Sequence, residues 1–195
     1  MEYLVLLRGI NVGGNNIIRM DDLKRMFTNM GFTAVTTYIQ SGNIIFKCME
    51  KSKTKLKDEI EMTLLEKVKN KISIAILTLN DMRQIIACKP EGFGDDKEKY
   101  KYDVVFLLEP LKTNDAIKAF NPKEGVDKID EGKNVLYISR LTAQITKSRF
   151  TKIIGTKAYQ NMTIRNWNTT QRLYTLMEAE SDKYHKVEES ADGRI

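Results

Sequence analysis

Apolar positions along this chain follow two rhythms. Residues 3–7 form an uninterrupted apolar run of strand length. Leu23, Met26, Phe27 and Met30 then recur at helical spacing, with Asp21 or Asp22 placed to cap the helix and Gly31 to end it. Residues 34–39, rich in Val, Thr and Tyr, predict a second strand, and Ser41-Gly42-Asn43 a compact turn into a third at 44–46, so that these two strands pair as a hairpin. Leu56, Ile60, Leu64 and Val68 mark one face of a second helix whose other face is Lys, Asp and Glu, and residues 73–77 predict another β-branched strand. The order is β-α-β-β-α-β, the ferredoxin-like unit.

The second half predicts the same order. After a short connecting helix (81–87) and a Gly- and Lys-containing loop (90–102) come a strand at 103–108, a helix at 115–120, and strands at 126–129 and 135–138 about the turn Glu131-Gly132-Lys133-Asn134. Residues 150–159 are expected to be helical and 162–165 extended. A final helix at 170–180 carries Leu173, Leu176 and Met177 on its apolar face. The chain is thus α+β: a ferredoxin-like subdomain over 1–79, a connecting helix and loop over 80–102, and a second such subdomain with a terminal helix over 103–180. Residues 181–195 are polar, without periodicity, and read as a flexible tail; they hold the single histidine, His185. The duplication rests on element order, since no detailed identity links the halves.

Composition narrows the class. With 195 residues, 42% hydrophobic and 30% charged, the chain has the profile of a globular protein. Its net charge of +6 comes from 32 basic and 26 acidic residues that are interspersed, a mixed surface with a modest basic bias. Cys48 and Cys88 have no neighbours at metal-ligand spacing, so the pattern predicts neither a zinc site nor a disulfide framework, and no cofactor. The N-terminal apolar run ends at Leu7, too short for a signal peptide or a membrane span, which predicts a cytoplasmic protein with no membrane partner.

Candidate chemistry concentrates in three places. The first strand runs into Arg8 and a loop holding Gly9, Asn11, Gly13, Gly14, Asn15 and Asn16, which can aim backbone N–H groups and a guanidinium at one anionic or carbonyl-bearing ligand. The glycines fall as G-x-x-x-G-G with no following Lys-Ser/Thr pair, so this is neither a dinucleotide fingerprint nor a phosphate-binding P-loop. A long strand-to-helix turn with Arg8 paired to a carboxylate explains the same residues. The hairpin turn Gln40-Ser41-Gly42-Asn43 offers Ser41 as a nucleophile, but the one histidine is remote, and a type I′ or related tight turn is the simpler account. In the stretch 163–169, Asn168 or Thr169 can cap the final helix. Trp167 suits the core better than a stacking role, while Arg165 and Asn166 are left for a ligand. The lysines at 51, 53, 55 and 57, and those at 97, 99 and 101, read as solvated faces.

The stretch from Leu6 to Phe46, with RGINVGG followed by TYIQSGN, together with the stretch from Thr151 to Leu173, resembles a widespread bacterial family known as the domain of unknown function numbered 1697. The resemblance marks Arg8, Gly9, Asn11, Gly13, Gly14, Gln40, Ser41, Gly42, Asn43, Thr163, Arg165, Asn166 and Thr169. It implies two ferredoxin-like subdomains side by side and supplies no reaction.

The expectation is therefore a binding protein for a small phosphate- or carboxylate-bearing ligand. The ligand-binding residues would be Arg8, Gly9, Asn11, Gly13, Gly14, Asn15, Gln40, Ser41, Asn43, Arg165 and Asn166. An enzyme acting on such a metabolite is the alternative, with Asp21, Asp22, a Lys or Tyr38 as acid or base. A module for nucleic acid or for a protein partner is the other; residues 43–47 carry only Phe46 as an aromatic, which disfavours the usual RNA-recognition sheet.

Overall fold

The first strand, β1 (Glu2–Leu7), has no polar alternation because both of its faces are covered: all six residues are buried, Leu4 and Leu6 on one side, Tyr3, Val5 and Leu7 on the other. It is the centre of the chain's first half in the computed structural model, which describes residues 1–13, 16–49 and 51–192, with side chains as far as 181. Helix α1 (Met20–Asn29), strands β2 (Thr33–Tyr38) and β3 (Asn43–Lys47), helix α2 (Lys53–Val68) and strand β4 (Ile74–Thr78) follow. The sheet order is β2-β3-β1-β4, every neighbour antiparallel, as a ferredoxin-like unit requires. Leu23 and Phe27 of α1 and Leu56, Ile60 and Leu64 of α2 cover its outer face.

After helix α3 (Leu79–Ala87), the second half repeats the plan with β5 (Tyr100–Leu107), α4 (Thr113–Ala119), β6 (Asp127–Gly132), β7 (Val135–Leu141) and β8 (Met162–Asn166), in the order β6-β7-β5-β8. The protein is two ferredoxin-like subdomains with a C-terminal helix, α5 (Trp167–Asp192). Leu4, Leu6 and Leu77 of the first sheet and Val104, Phe106 and Tyr137 of the second share one core with Met82 and Ile85 of α3 and Leu173 and Met177 of α5. The segment expected to be a connector therefore fills the space between the sheets. Phe93 stands at its centre, with ring centroids 4.9 Å from Tyr102, 5.2 Å from Tyr137 and 5.2 Å from Trp167.

Several local expectations are corrected. The helix predicted over 150–159 is a set of 3-10 turns, Thr142–Lys147, Phe150–Ile153 and Tyr159–Asn161, in a stretch where Thr151, Ile153, Ile154 and Thr156 are β-branched. Helix α1 begins at Met20 with Arg19 in the cap position, so Asp21 and Asp22 lie in its first turn, facing the positive end of the helix dipole rather than capping it. Helix α5 begins at Trp167, and its capping acceptor is Asn166, whose Oδ1 takes the N–H of Asn168 at 2.9 Å; Asn168 and Thr169 lie inside the helix. Residues 181–192, expected to fray, continue that helix, and 193–195 lie outside the described residues. The hairpin between β2 and β3 turns through four residues, 39–42, so of the type I′ and related tight turns expected it is one longer than type I′.

One buried carboxylate makes stability depend on pH. Glu2 is 9% exposed, and neither of its carboxylate oxygens has a hydrogen-bond partner among the described residues. Burial raises its pKa from 4.5 to about 7, with Lys47 and the N-terminal ammonium pulling it back down and Glu180 pushing it up. Because the folded protein holds this proton where the unfolded chain has released it, the favourable contribution is full below pH 4.5 and is lost as the pH rises to about 7. Glu2→Gln is therefore expected to stabilise the protein relative to wild type above pH 7, by on the order of 3 kcal/mol, and much less at pH 4.5. Urea unfolding at both pH values checks this; an unchanged difference between the two would remove Glu2 from the account.

Candidate functional site

The residues shared by the three sequence motifs converge on a seam between the subdomains, at the end of β1. Arg165, on β8, carries its guanidinium into that seam and is 7% exposed. Its Nε donates to Asn43 Oδ1 at 2.5 Å. Its Nη1 donates to Thr163 Oγ1 at 2.8 Å and to the Ile164 carbonyl at 2.9 Å. Its Nη2 donates to the carbonyls of Leu7 at 2.9 Å, Ser41 at 2.8 Å and Gly42 at 3.4 Å. Burial draws its pKa from 12.5 to about 10, which leaves it charged at neutral pH. Every nitrogen is engaged, so Arg165 ties β8 to β1 and to the β2–β3 loop and has no donor to spare for an anion.

The neighbouring motif residues serve the same seam. Asn43 Nδ2 donates to the Tyr38 carbonyl and to Ser41 Oγ, closing the hairpin loop. Gly42 has φ +68°, and a Cβ there would lie 2.8 Å from Leu7 Cβ and 2.7 Å from Ile10 Cδ1, so the loop can cross β1 only with glycine at this position. Asn11 spends its amide on the Ile18 backbone N–H and carbonyl and on the Gln40 carbonyl, pinning the first loop to the hairpin loop. Gln40 is exposed, and Ser41 is half-buried with its hydroxyl accepting from Asn43. Asn166 donates to the Tyr102 carbonyl at 3.1 Å in addition to capping α5. Trp167, 2% exposed, is in the core.

Arg8 differs from Arg165. It is half-buried, its Nε donates to the Tyr159 carbonyl at 3.2 Å, and its guanidinium lies 5.1 Å from the Tyr159 ring centroid. Its partner is thus a carbonyl and a ring, not the carboxylate anticipated from sequence, and its two outer nitrogens make no hydrogen bond among the described residues. Gly9 and Gly13 are exposed beside it, while Gly14 and Asn15 lie outside the described residues.

A concavity lies elsewhere and was missed in the sequence. A cleft of about 400 Å³ opens along the outer edge of β4, within the size range of small-molecule sites. Leu77, Ile85, Phe106, Leu108, Val135 and Tyr137 supply its apolar lining, and Lys53, Lys57, Lys112 and Lys133 its cations. Asp58, Asp81 and Glu109 also line it. Lys53 is paired with Asp81, and Lys133 Nζ reaches Gln84 Oε1 at 3.4 Å. Although burial pushes the Asp81 carboxyl up, hydrogen bonds from Lys53 and Thr78 hold it below its ordinary value. Lys57 and Lys112 form no ion pair among the described residues. These lysines come from α2, the α4 approach and the β6–β7 turn, so no local motif could have joined them. The lysine runs at 51–57 and 97–101 looked alike in sequence; the fold brings only Lys53 and Lys57 into the cleft.

No group of three or more His, Cys, Asp or Glu could hold a metal ion among the described residues, and no helix there is long and apolar enough to cross a membrane.

No curated protein matches this chain. The solved structure of the conserved bacterial protein SP0830 from Streptococcus pneumoniae is similar, with 27% sequence identity and a TM-score of 0.79, covering 90% of this chain and 98% of that one. That likeness extends across both subdomains. Residues 1–137 match the family described as a protein of unknown function, DUF1697, a span that includes the RGINVGG and YIQSGN motifs: the chain belongs to the DUF1697 family.

Proposed function

We propose that this protein binds a small anionic ligand with an apolar body, and that the ligand sits in the cleft beside β4. The observation that supports this most directly is the lining of that cleft: apolar side chains from both subdomains, with four lysines around them. Burial of an apolar body would supply most of the binding free energy, while the ammonium groups would select a carboxylate or phosphate. The seam at Arg165 plays a different part, holding the two subdomains in the arrangement that forms the cleft. Binding, rather than catalysis, is the function proposed.

A thermal-shift screen of carboxylates and phosphorylated metabolites, at low and moderate salt, tests the proposal. A ligand present at a hundred times its Kd raises stability by about 2.7 kcal/mol. Lys57→Ala and Lys112→Ala are each expected to weaken the hit about five-fold, since a partly exposed charge pair contributes roughly 1 kcal/mol. Arg8→Ala is expected to leave binding unchanged. Loss of the hit in Arg8→Ala with the lysine variants unaffected would move the site to the Gly/Asn loop, where the outer guanidinium nitrogens are open. Stabilisation by polyanions alone, fading with salt and insensitive to both lysines, would overturn the proposal in favour of non-specific electrostatics.

A further inference from the structure

The cleft borders a strand edge whose middle residue keeps both of its outward backbone groups open. Arg8 N–H donates to the Ser73 carbonyl at 3.0 Å, which sets the phase of the β1–β4 ladder. Leu6 and Leu4, on the same side of β1, face Ala75 and Leu77. Those two residues therefore spend their backbone groups on β1, and Ile74, Ile76 and Thr78 direct theirs outward.

The N–H groups at both ends of that outer edge are capped. The Ile74 N–H donates to Glu61 Oε1 at 3.1 Å, and the Thr78 N–H donates to Asp81 Oδ2 at 2.7 Å. Between them the N–H and C=O of Ile76 have no partner among the described residues. The cleft is lined by residues 74–77 together with α2 on one face of the sheet and α3 on the other, so it lies off the edge itself. An unpaired strand edge would ordinarily invite a whole added strand. Here the two carboxylate caps leave Ile76 as the residue that can exchange both an N–H and a C=O bond with an added strand.

We infer that the ligand of this cleft is an acidic, N-acylated peptide end, which pairs one residue with the Ile76 backbone and sets its carboxylates among the lysines. This rests on the anion-binding reading above and narrows its ligand class. One residue paired antiparallel must offer an N–H and a C=O on the same edge, so it needs an amide on each side. An N-acyl dipeptide with a C-terminal acidic residue meets this requirement and carries two carboxylates. Lys57, Lys112 and Lys133 would receive the carboxylates, and the apolar lining the acyl group.

Amide hydrogen exchange of the full chain, followed by NMR, provides the test. The probe is acetyl-Ala-Glu, compared with its analogue N-methylated at alanine, with glutarate, and with inorganic phosphate. Acetyl-Ala-Glu is expected to slow exchange of the Ile76 amide at least ten-fold while leaving that of Ile45 unchanged, and the N-methylated analogue to bind at least ten-fold more weakly. If acetyl-Ala-Glu and glutarate shift the cleft amides with equal affinity and Ile76 stays unprotected, backbone pairing is wrong and anion binding stands. If none of the four probes shifts a cleft amide, both the pairing and the anion-binding reading fail.

Discussion

Arg165→Met is expected to lower the unfolding free energy by about 3–5 kcal/mol, the scale seen when one partner of a buried charged network is removed. The guanidinium supplies donors to Asn43 and Thr163 side chains and to the carbonyls of Leu7, Ser41, Gly42 and Ile164. A methionine fills part of the space and leaves these acceptors buried without donors. For a chain of this length the loss corresponds to a fall in Tm of roughly 10 °C. Arg165→Lys keeps the charge but has a single nitrogen, which cannot serve acceptors on β8, β1 and the hairpin loop at once, so it is expected to recover only a minor part. Arg8→Ala provides the contrast: a half-exposed arginine with one hydrogen bond and one ring contact is expected to cost about 1 kcal/mol or less. Urea unfolding of the three variants decides the matter. Equal losses at the two arginines would mean that Arg165 is not the clamp its hydrogen bonds describe.

The second large effect lies in the core between the sheets. Gly94→Ala would place a Cβ 2.2 Å from Trp167 Nε1 and 2.6 Å from its Cδ1, at a backbone φ of +88° that an L side chain rarely adopts. The indole has nowhere to retreat, because Trp167 is 2% exposed and Phe93 lies edge-on against it. Overpacking of this kind costs about 1–3 kcal/mol, and the left-handed backbone adds roughly 1 kcal/mol or more. We expect a combined loss of about 3 kcal/mol. Trp167 is the chain's single tryptophan, so its fluorescence reports the site without ambiguity. A variant with wild-type stability and an unshifted emission maximum would show that the segment around Gly94 gives way at no cost.

Most of the fold could be read locally because its elements announce themselves locally. The apolar run of β1, the four-residue spacing of Leu56, Ile60 and Leu64, and the β-branched stretch at β4 each mark their element within a few residues, and element order then implies the sheet. The failures share a cause. Segment 150–159 holds apolar residues at helical spacing but is anchored by the second sheet into 3-10 turns. Asn166 serves as the cap because β8 continues one residue further than its β-branched residues suggested. The loop at 90–102 reads as a linker, yet Phe93 is drawn inward against Tyr102 at the loop's own end and Tyr137 and Trp167 from distant segments.

For the site the gap is wider. RGINVGG, QSGN and the stretch around Arg165 stood out as clusters of polar residues and glycine, and they do meet in space. Arg165 and Asn11 nevertheless spend polar groups on backbone carbonyls, Arg165 on Ser41 and Asn11 on Ile18 and Gln40. A polar side chain in sequence carries no mark of whether its partner is a buried carbonyl or an outside molecule. Only the register of β1 against β4, and the approach of the second sheet, show which backbone groups are taken.

What the amino-acid sequence determined by itself was the set of elements, the duplicated β-α-β-β-α-β order and the family, because periodicity and turn chemistry act over a few residues and survive without knowledge of the partner surface. What only the tertiary structure decided was the shared core between the two sheets, the use of Arg165 as a clamp, and the lysine-lined cleft beside β4. Those features depend on contacts between residues far apart in the chain, and their free energies come from desolvation and geometry that exist only once the two subdomains are packed.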